Sequence, residues 1–177
     1  GLPDLQGEPM DCADPVPLEL ASGQVLLLRG RVDRVDRLAN GSYEVVDYKT
    51  GARPPHKKGS VFAQGRQLQH ALYAEVIEQV LPGAVVSGGS YYFPSRRAQN
   101  ERLHIPRPAR AELEAVLGDL LEILDRGAFV HTPDADTCRF CDFRAVCGTS
   151  VIAQARRKLE VEEEERLAAF RRLRDRR

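Results

Sequence analysis

The 177-residue sequence has no tryptophan, one methionine, four cysteines and no formal net charge. Its longest aliphatic run, residues 25–28, is far shorter than the roughly 20 apolar residues of a membrane-spanning helix, so we expect no membrane partner. No basic and then apolar segment opens the sequence, so we expect no signal peptide. Apolar residues make up 42% and charged residues 29% of the chain, which indicates one ordinary globular domain rather than a disordered or fibrous chain.

The order of the predicted elements indicates a mixed α/β fold, in which helices flank a central mixed β-sheet. Alternating apolar residues predict strands over residues 24–37, 42–49, 85–93 and 101–105. Four-residue apolar spacing predicts helices over residues 64–81 and 109–126, and a long charged helix over 152–174. We expect a single domain over residues 1–177, composed of a sheet-and-helix region at 24–105, a cysteine module at 138–148 and a terminal helix at 152–177.

The turn at Asn40-Gly41 decides where one acidic side chain points. A two-residue loop would pair Asp33 with Tyr48 and turn Asp33 away from Asp47. A three-residue loop with Gly41 in the left-handed conformation pairs Leu38 with Ser42 and places Asp33 opposite Asp47. We predict the three-residue loop.

Two carboxylates that face each other across strands repel unless a cation lies between them. Oxygen ligands suit Mg²⁺ or Mn²⁺, and such an ion can activate water and neutralise a phosphate. Lys49 shares a strand face with Asp47, so it can orient or deprotonate that water, or stabilise charge on the phosphate. The three side chains Asp33, Asp47 and Lys49 therefore suit phosphodiester hydrolysis.

Three motifs resemble the PD-(D/E)XK nuclease superfamily, in the branch of the RecB and AddB nuclease domains and the CRISPR-associated adaptation nucleases. The motifs are Gly30-Arg31-Val32-Asp33, Asp47-Tyr48-Lys49-Thr50-Gly51 and Gln69-His70-Ala71-Leu72-Tyr73. The resemblance covers about residues 24–148 and implies a restriction-endonuclease-like fold.

The resemblance also implies roles for these residues. Asp33 and Asp47 would bind Mg²⁺ or Mn²⁺ with the main-chain carbonyl of Tyr48, and Lys49 would be the catalytic lysine. Gln69 and Tyr73 would hold Lys49 or the DNA backbone. By strand alternation, Asp36 points away from Asp33, so we interpret it as a structural partner of Arg34.

The cysteines Cys138, Cys141 and Cys147 are close enough in sequence to predict a metal site, which needs a fourth ligand. His131 is near in sequence and would complete a Zn²⁺ site. The resembled nucleases instead carry a 4Fe–4S cluster here, held by these three cysteines and one upstream. Cys12 is the only other cysteine and is the candidate for that ligand.

Basic side chains follow the lysine strand and surround the second hairpin, and they could line a groove for a DNA backbone. They are Arg53, Lys57, Lys58, Arg96, Arg97 and Arg102. Tyr91 and Phe93 are expected in the core.

We predict a metal-dependent DNA exonuclease acting on single-stranded ends, as the nuclease module of a RecB/AddB-like helicase–nuclease in DNA repair. It would be cytoplasmic and associated with the nucleoid of a bacterial-type cell. The sequence has no phosphate-binding loop for ATP, so the helicase would be a partner domain or a separate chain.

Two alternatives stay open: a stand-alone CRISPR adaptation nuclease, and a catalytically impaired DNA-binding or interaction module. The second arises because, in the resembled branch, a helix before the first strand often carries a His or Glu that completes the metal site. Here about twenty acidic residues, broken by prolines, hold that place.

Overall fold

A computed structural model describes residues 11–50, 61–139, 141–161 and 164–176, with no side-chain description for Arg97. The chain divides into two compact units, residues 1–114 with residue 177, and residues 115–176. The single domain predicted over the whole chain stays a prediction.

The first unit contains two sheets and a helix between them in sequence. The elements are β1 (Val16–Glu19), β2 (Val25–Leu28), β3 (Arg34–Arg37), β4 (Tyr43–Tyr48), α1 (Gln69–Val80), β5 (Val86–Phe93) and β6 (Glu101–Pro106). β1 and β2 form an antiparallel pair, and the larger sheet has the order β3-β4-β5-β6. Only the β4–β5 pair in this sheet is parallel, and α1 is the crossover between its strands. The predicted mixed α/β fold is confirmed.

Helix α1 packs on one face of the larger sheet. Val45 of β4 and Val86 of β5 form a buried cluster with Ala74 and Ile77 of α1. Gly89 lets the helix approach β5 closely, since a Cβ atom there would lie 2.7 Å from Cβ of His70. This packing places the first turn of α1 near the end of β4.

The single strand predicted over residues 24–37 is wrong. It is broken at residues 29–33, and the two halves, β2 and β3, belong to different sheets. Within the break, the carbonyl oxygen of Arg31 and the carboxylate of Asp33 accept hydrogen bonds from Tyr73 and Tyr48, respectively. Long-range contacts therefore replace the regular strand pattern that the local sequence favours.

Helix α1 begins at Gln69, five residues later than the predicted start at residue 64. Ala63, Gln64 and Gly65 have positive φ angles of 46°, 63° and 81°, which end any helical continuation toward the N-terminus. The predicted end is confirmed within one residue, because the helix ends at Val80 before Pro82.

The second unit is helical. Helix α2 (Arg110–Asp125) begins in the first unit, and α3 (Ala135–Arg139), α4 (Arg144–Cys147), α5 (Val151–Glu160) and α6 (Ala168–Asp175) follow. Buried Asp119 of α2 accepts hydrogen bonds of 2.8 Å each from Arg172 and Arg176. Among the described helices, none is long and apolar enough to cross a membrane.

The single long helix predicted over residues 152–174 is wrong, because α5 and α6 are separate helices. Arg171 donates hydrogen bonds to the carbonyl oxygens of Val161 and Glu164, which lie between the two helices. These carbonyls belong to the interruption, where four consecutive glutamates at positions 162–165 would also repel each other within a helix.

Candidate active site

The β3–β4 hairpin has the register that brings the two predicted acids together. Arg34 pairs with Val46, and Leu38 donates a main-chain hydrogen bond of 2.7 Å to Ser42. Gly41 has a φ angle of 84°, so the predicted three-residue loop is confirmed. Continued by one residue beyond Arg34, this register places Asp33 across from Asp47.

Asp33 is anchored to the strand that carries Asp47. Its Oδ2 atom accepts a hydrogen bond of 3.0 Å from the main-chain N–H of Tyr48. The side chain thus takes an N–H of β4 beyond the last main-chain pair of the ladder. Asp33 itself is exposed, so its carboxylate is open to a ligand.

Asp47 has a buried carboxylate oxygen with incomplete bonding. Lys49 Nζ lies 2.6 Å from Asp47 Oδ2 as an ion pair, while the side chain of Asp47 is only 16% exposed. The direction of approach is not that of a hydrogen bond, and no described residue donates one to Oδ2. A buried acceptor left in this state is costly, and a bound cation would satisfy it.

Lys49 is held from two further directions. Its Nζ donates a hydrogen bond of 3.4 Å to Oε1 of Gln69, the first residue of α1. The ammonium also lies 5.0 Å from the ring centroid of Tyr91, within the range of a cation–π contact. Burial, and then the charge of Asp47, raise the pKa of Tyr91 to about 12, so this phenol stays neutral at physiological pH.

Tyr73, one turn after Gln69, does not contact Lys49 in the described contacts. Its hydroxyl donates a hydrogen bond of 3.0 Å to the carbonyl oxygen of Arg31. The structure therefore brings Asp33, Asp47, Lys49 and Gln69 together and gives Tyr73 a different neighbour.

The residues present fit a divalent cation. Carboxylate and carbonyl oxygens are the ligands that Mg²⁺ and Mn²⁺ prefer, and Asp33, Asp47 and the main chain of Tyr48 supply them. The buried, unpartnered Oδ2 of Asp47 is the observation that supports this fit. In the described residues, no third His, Cys, Asp or Glu side chain joins the pair.

Comparison with known proteins addresses the same region. Residues 5–148 match the family model of the PD-(D/E)XK nuclease superfamily. The chain belongs to this superfamily. No solved structure matches the chain.

Several curated relatives of this nuclease-family chain share one name, which describes the second subunit, B, of an ATP-dependent helicase/deoxyribonuclease. The protein from Symbiobacterium thermophilum is 41% identical over 96 residues, which are 50% of this chain and 8% of the relative. Those from Acetivibrio thermocellus and Alkaliphilus oremlandii are 38% and 34% identical over 86 residues, which are 45% of this chain and 7% of each relative. The chain thus spans less than a tenth of the length of these relatives.

The other face of the nuclease sheet carries a network around Glu44, which is 6% exposed. Its carboxylate accepts a hydrogen bond from Ser90, bonds to His104 Nδ1 at 2.6 Å and pairs with Arg102. Burial alone would raise the pKa of Glu44, but the bonds from Ser90 and His104 and the charge of Arg102 lower it overall. These partners mark Glu44 as a structural acid.

The predicted structural role of Asp36 is confirmed on that face. Arg34 Nε lies 2.5 Å from Asp36, and Arg102 lies 3.2 Å from the same carboxylate. Arg102, predicted to bind DNA, is therefore paired with acids on the face opposite Asp47.

The remaining predicted DNA contacts are placed unevenly. Arg96 is exposed at the start of a short 3₁₀ helix between β5 and β6. Arg53, Lys57 and Lys58 lie outside the described residues, as does the side chain of Arg97. Their contact with DNA stays a prediction. Tyr91 and Phe93 are 6% and 2% exposed, so their predicted core positions are confirmed.

The predicted iron–sulfur site has no support in the geometry. Cys138 lies in α3 and Cys147 ends α4, and the main chain of Cys141 bonds back to Cys138. Cys12 belongs to the first unit, where its thiol donates to the carbonyl of Asp14. Throughout the described part of the chain, no three His, Cys, Asp or Glu side chains converge as a metal site.

Sequence reasoning missed one residue beside the site, His70. It is 4% exposed and contacts the ring of Phe62, with the ring centroids 6.2 Å apart. Neither ring nitrogen has a partner among the described residues, and burial lowers its pKa to about 4. No local signal identifies it, because the residue lies on the buried face of an amphipathic helix, where an apolar residue is usual.

Proposed function

We propose that this chain is a Mg²⁺- or Mn²⁺-dependent deoxyribonuclease that hydrolyses DNA as an exonuclease on single-stranded ends. The observation that carries the proposal is the facing pair Asp33 and Asp47, with Lys49 Nζ 2.6 Å from the buried oxygen of Asp47. Membership of the nuclease superfamily supports the reaction class.

Each side chain has a distinct part in the proposed reaction. Asp33, Asp47 and the main-chain carbonyl of Tyr48 would hold the ion, which when bound lowers the pKa of a water molecule and neutralises phosphate charge. Lys49 presents an ammonium beside the carboxylates, where it suits stabilisation of negative charge on the phosphate. Gln69 restricts the position of that ammonium through the bond to Nζ.

We further propose that the chain works as the nuclease module of a helicase–nuclease in the bacterial cytoplasm, at the nucleoid. Its similarity to relatives whose name describes an ATP-dependent helicase/deoxyribonuclease supports a helicase partner and a DNA substrate. A single strand delivered by a helicase is the substrate that an end-processing nuclease would receive.

For the cysteine triplet, we propose a 4Fe–4S cluster, which the spacing of Cys138, Cys141 and Cys147 supports. Zn²⁺ is the alternative, because His131 Nδ1 lies 3.8 Å from Cys147 Sγ, a separation that two ligands of one zinc ion can have. Metal analysis and visible absorbance of the purified protein distinguish them. Iron with a coloured chromophore supports the cluster, and colourless protein with zinc contradicts it.

The nuclease proposal is tested with labelled linear and circular single-stranded DNA in Mg²⁺ or Mn²⁺. We expect the chain to degrade linear DNA and to leave circular DNA intact. Asp47→Asn should abolish cleavage, whereas Asp36→Asn, the same change on the other sheet face, should retain it. Equal activity of wild type and Asp47→Asn, or no cleavage by wild type, would contradict the proposal.

A further inference from the structure

Tyr73 contacts the segment that leads into Asp33. Its hydroxyl donates a hydrogen bond of 3.0 Å to the carbonyl oxygen of Arg31, two residues before Asp33. Its half-buried ring and the side chain of Val32 pack against the same core cluster between α1 and the sheet. The tyrosine therefore connects a rigid helix to the chain on one side of the candidate metal ligand.

Gly30 is part of the same contact. A Cβ atom at this position would lie 3.3 Å from Cε1 and 3.5 Å from the hydroxyl oxygen of Tyr73. The ring thus lies directly against the main chain, at a distance where a larger residue would force a shift. Absence of a side chain at Gly30 is what allows Tyr73 to reach the carbonyl of Arg31.

This segment needs such support because it is not part of a strand. Residues 29–33 lie between β2 and β3, which belong to separate sheets, so no main-chain ladder fixes them. Asp33 is held on its far side by the bond from Tyr48 N–H. Tyr73 supplies a second anchor on the near side.

We infer that Tyr73 is a positioning residue, which acts through Gly30 and Arg31 to hold the Asp33 carboxylate for cation binding. The inference rests on the proposed function, because it assigns Asp33 as a ligand. It replaces the predicted contact of Tyr73 with Lys49 or the DNA backbone. Groups that orient a metal ligand from behind typically affect metal affinity as well as rate.

The test is Mn²⁺ binding to the 177-residue chain without DNA, measured through the electron paramagnetic resonance signal of free Mn²⁺. Tyr73→Phe removes the hydroxyl and keeps the ring, so we expect about 3- to 10-fold weaker binding, the worth of one hydrogen bond. Tyr92→Phe makes the same change on the other face of the sheet and should leave binding unchanged. Thermal unfolding of both variants checks that each is folded.

Asp47→Asn separates failure of the inference from failure of the proposed function. If Asp47→Asn loses Mn²⁺ while Tyr73→Phe binds it like wild type, the positioning role is wrong and the metal site stands. If Asp47→Asn binds Mn²⁺ like wild type, or wild type binds none, the proposed function fails and the inference fails with it.

A second pair of variants tests the fit of the glycine against the ring. Gly30→Ala should weaken Mn²⁺ binding in the wild-type background, because the added carbon displaces the ring of Tyr73. In a Tyr73→Leu background the same substitution should cost less, because the ring is absent. Equal, additive losses in the two backgrounds would overturn the inference.

Discussion

Strand β4 carries two buried acids on opposite faces of one sheet, and they differ in how their oxygens are satisfied. Glu44 has a hydroxyl, an imidazole and a guanidinium around it. Asp47 has an ammonium at 2.6 Å and a buried oxygen that no described residue hydrogen-bonds. The difference separates an acid that stabilises the fold from one whose bonding is completed by a ligand.

The largest expected effect comes from Lys49, the cation beside the incompletely bonded acid. Lys49→Met should lower the cleavage rate by about 10²–10³-fold, the usual cost of losing a group that stabilises transition-state charge. Mn²⁺ affinity should not fall, because the substitution removes a competing cation from Asp47. Single-turnover cleavage and Mn²⁺ titration measure the two effects.

Lys158→Met, an exposed lysine of the second unit, is the matched control and should cleave at the wild-type rate. A Lys49→Met protein that cleaves normally, or that no longer binds Mn²⁺, would break the distinction between a catalytic lysine and the two metal-binding acids.

A smaller effect is expected from the satisfied acid. Glu44→Gln should lower the free energy of unfolding by about 1–3 kcal/mol, because Arg102 and His104 lose their charged partner. Cleavage should continue. Without metal, Asp47→Asn should lose less stability, because no hydrogen bond to Oδ2 is removed. Urea unfolding in EDTA compares the variants, and equal losses for both would contradict the comparison.

The Glu44 stabilisation should also depend on pH in a defined direction. The pKa of Glu44 is lowered below its ordinary value of 4.5 in the folded state. Its contribution is therefore fully present above pH 4.5 and is lost as the pH falls through the folded value. Glu44→Gln should remove this part of the acid sensitivity.

His70 gives a third prediction, in a separate pH window. Burial lowers its pKa from 6.5 to about 4, so between these values the unfolded chain binds a proton that the folded chain does not. Stability should fall by about 2–4 kcal/mol as the pH drops through this window. His70→Leu should remove that slope and add about 1 kcal/mol at neutral pH, because two unpartnered nitrogens are removed.

Urea unfolding at intervals between about pH 7 and pH 4 measures this effect. A His70→Leu protein that keeps the wild-type slope would show that other groups cause the pH dependence.

Local patterns predicted the parts of the site that local chemistry determines. Asn40 and Gly41 indicated the turn, Gly41 adopts the left-handed conformation, and the register then places Asp33 opposite Asp47. The mixed α/β fold followed from the order of apolar patterns in the same way.

The contacts that escaped prediction join distant segments. Tyr73 reaches Arg31 across 42 positions, and Glu44 meets His104 across 60, so no local pattern carries either. The late start of α1 depends on three left-handed residues of which only Gly65 is a glycine. Tertiary contacts at Arg31 and Asp33 likewise break the strand that the apolar pattern favours.

The central claim is that Asp33 and Asp47 share one divalent cation. Crystals of the protein grown with Mn²⁺ test it directly through anomalous scattering at the manganese absorption edge. We predict an anomalous peak between the two carboxylates, in contact with the main-chain carbonyl of Tyr48. No peak there in wild type, or an unchanged peak in Asp47→Asn, would contradict the claim.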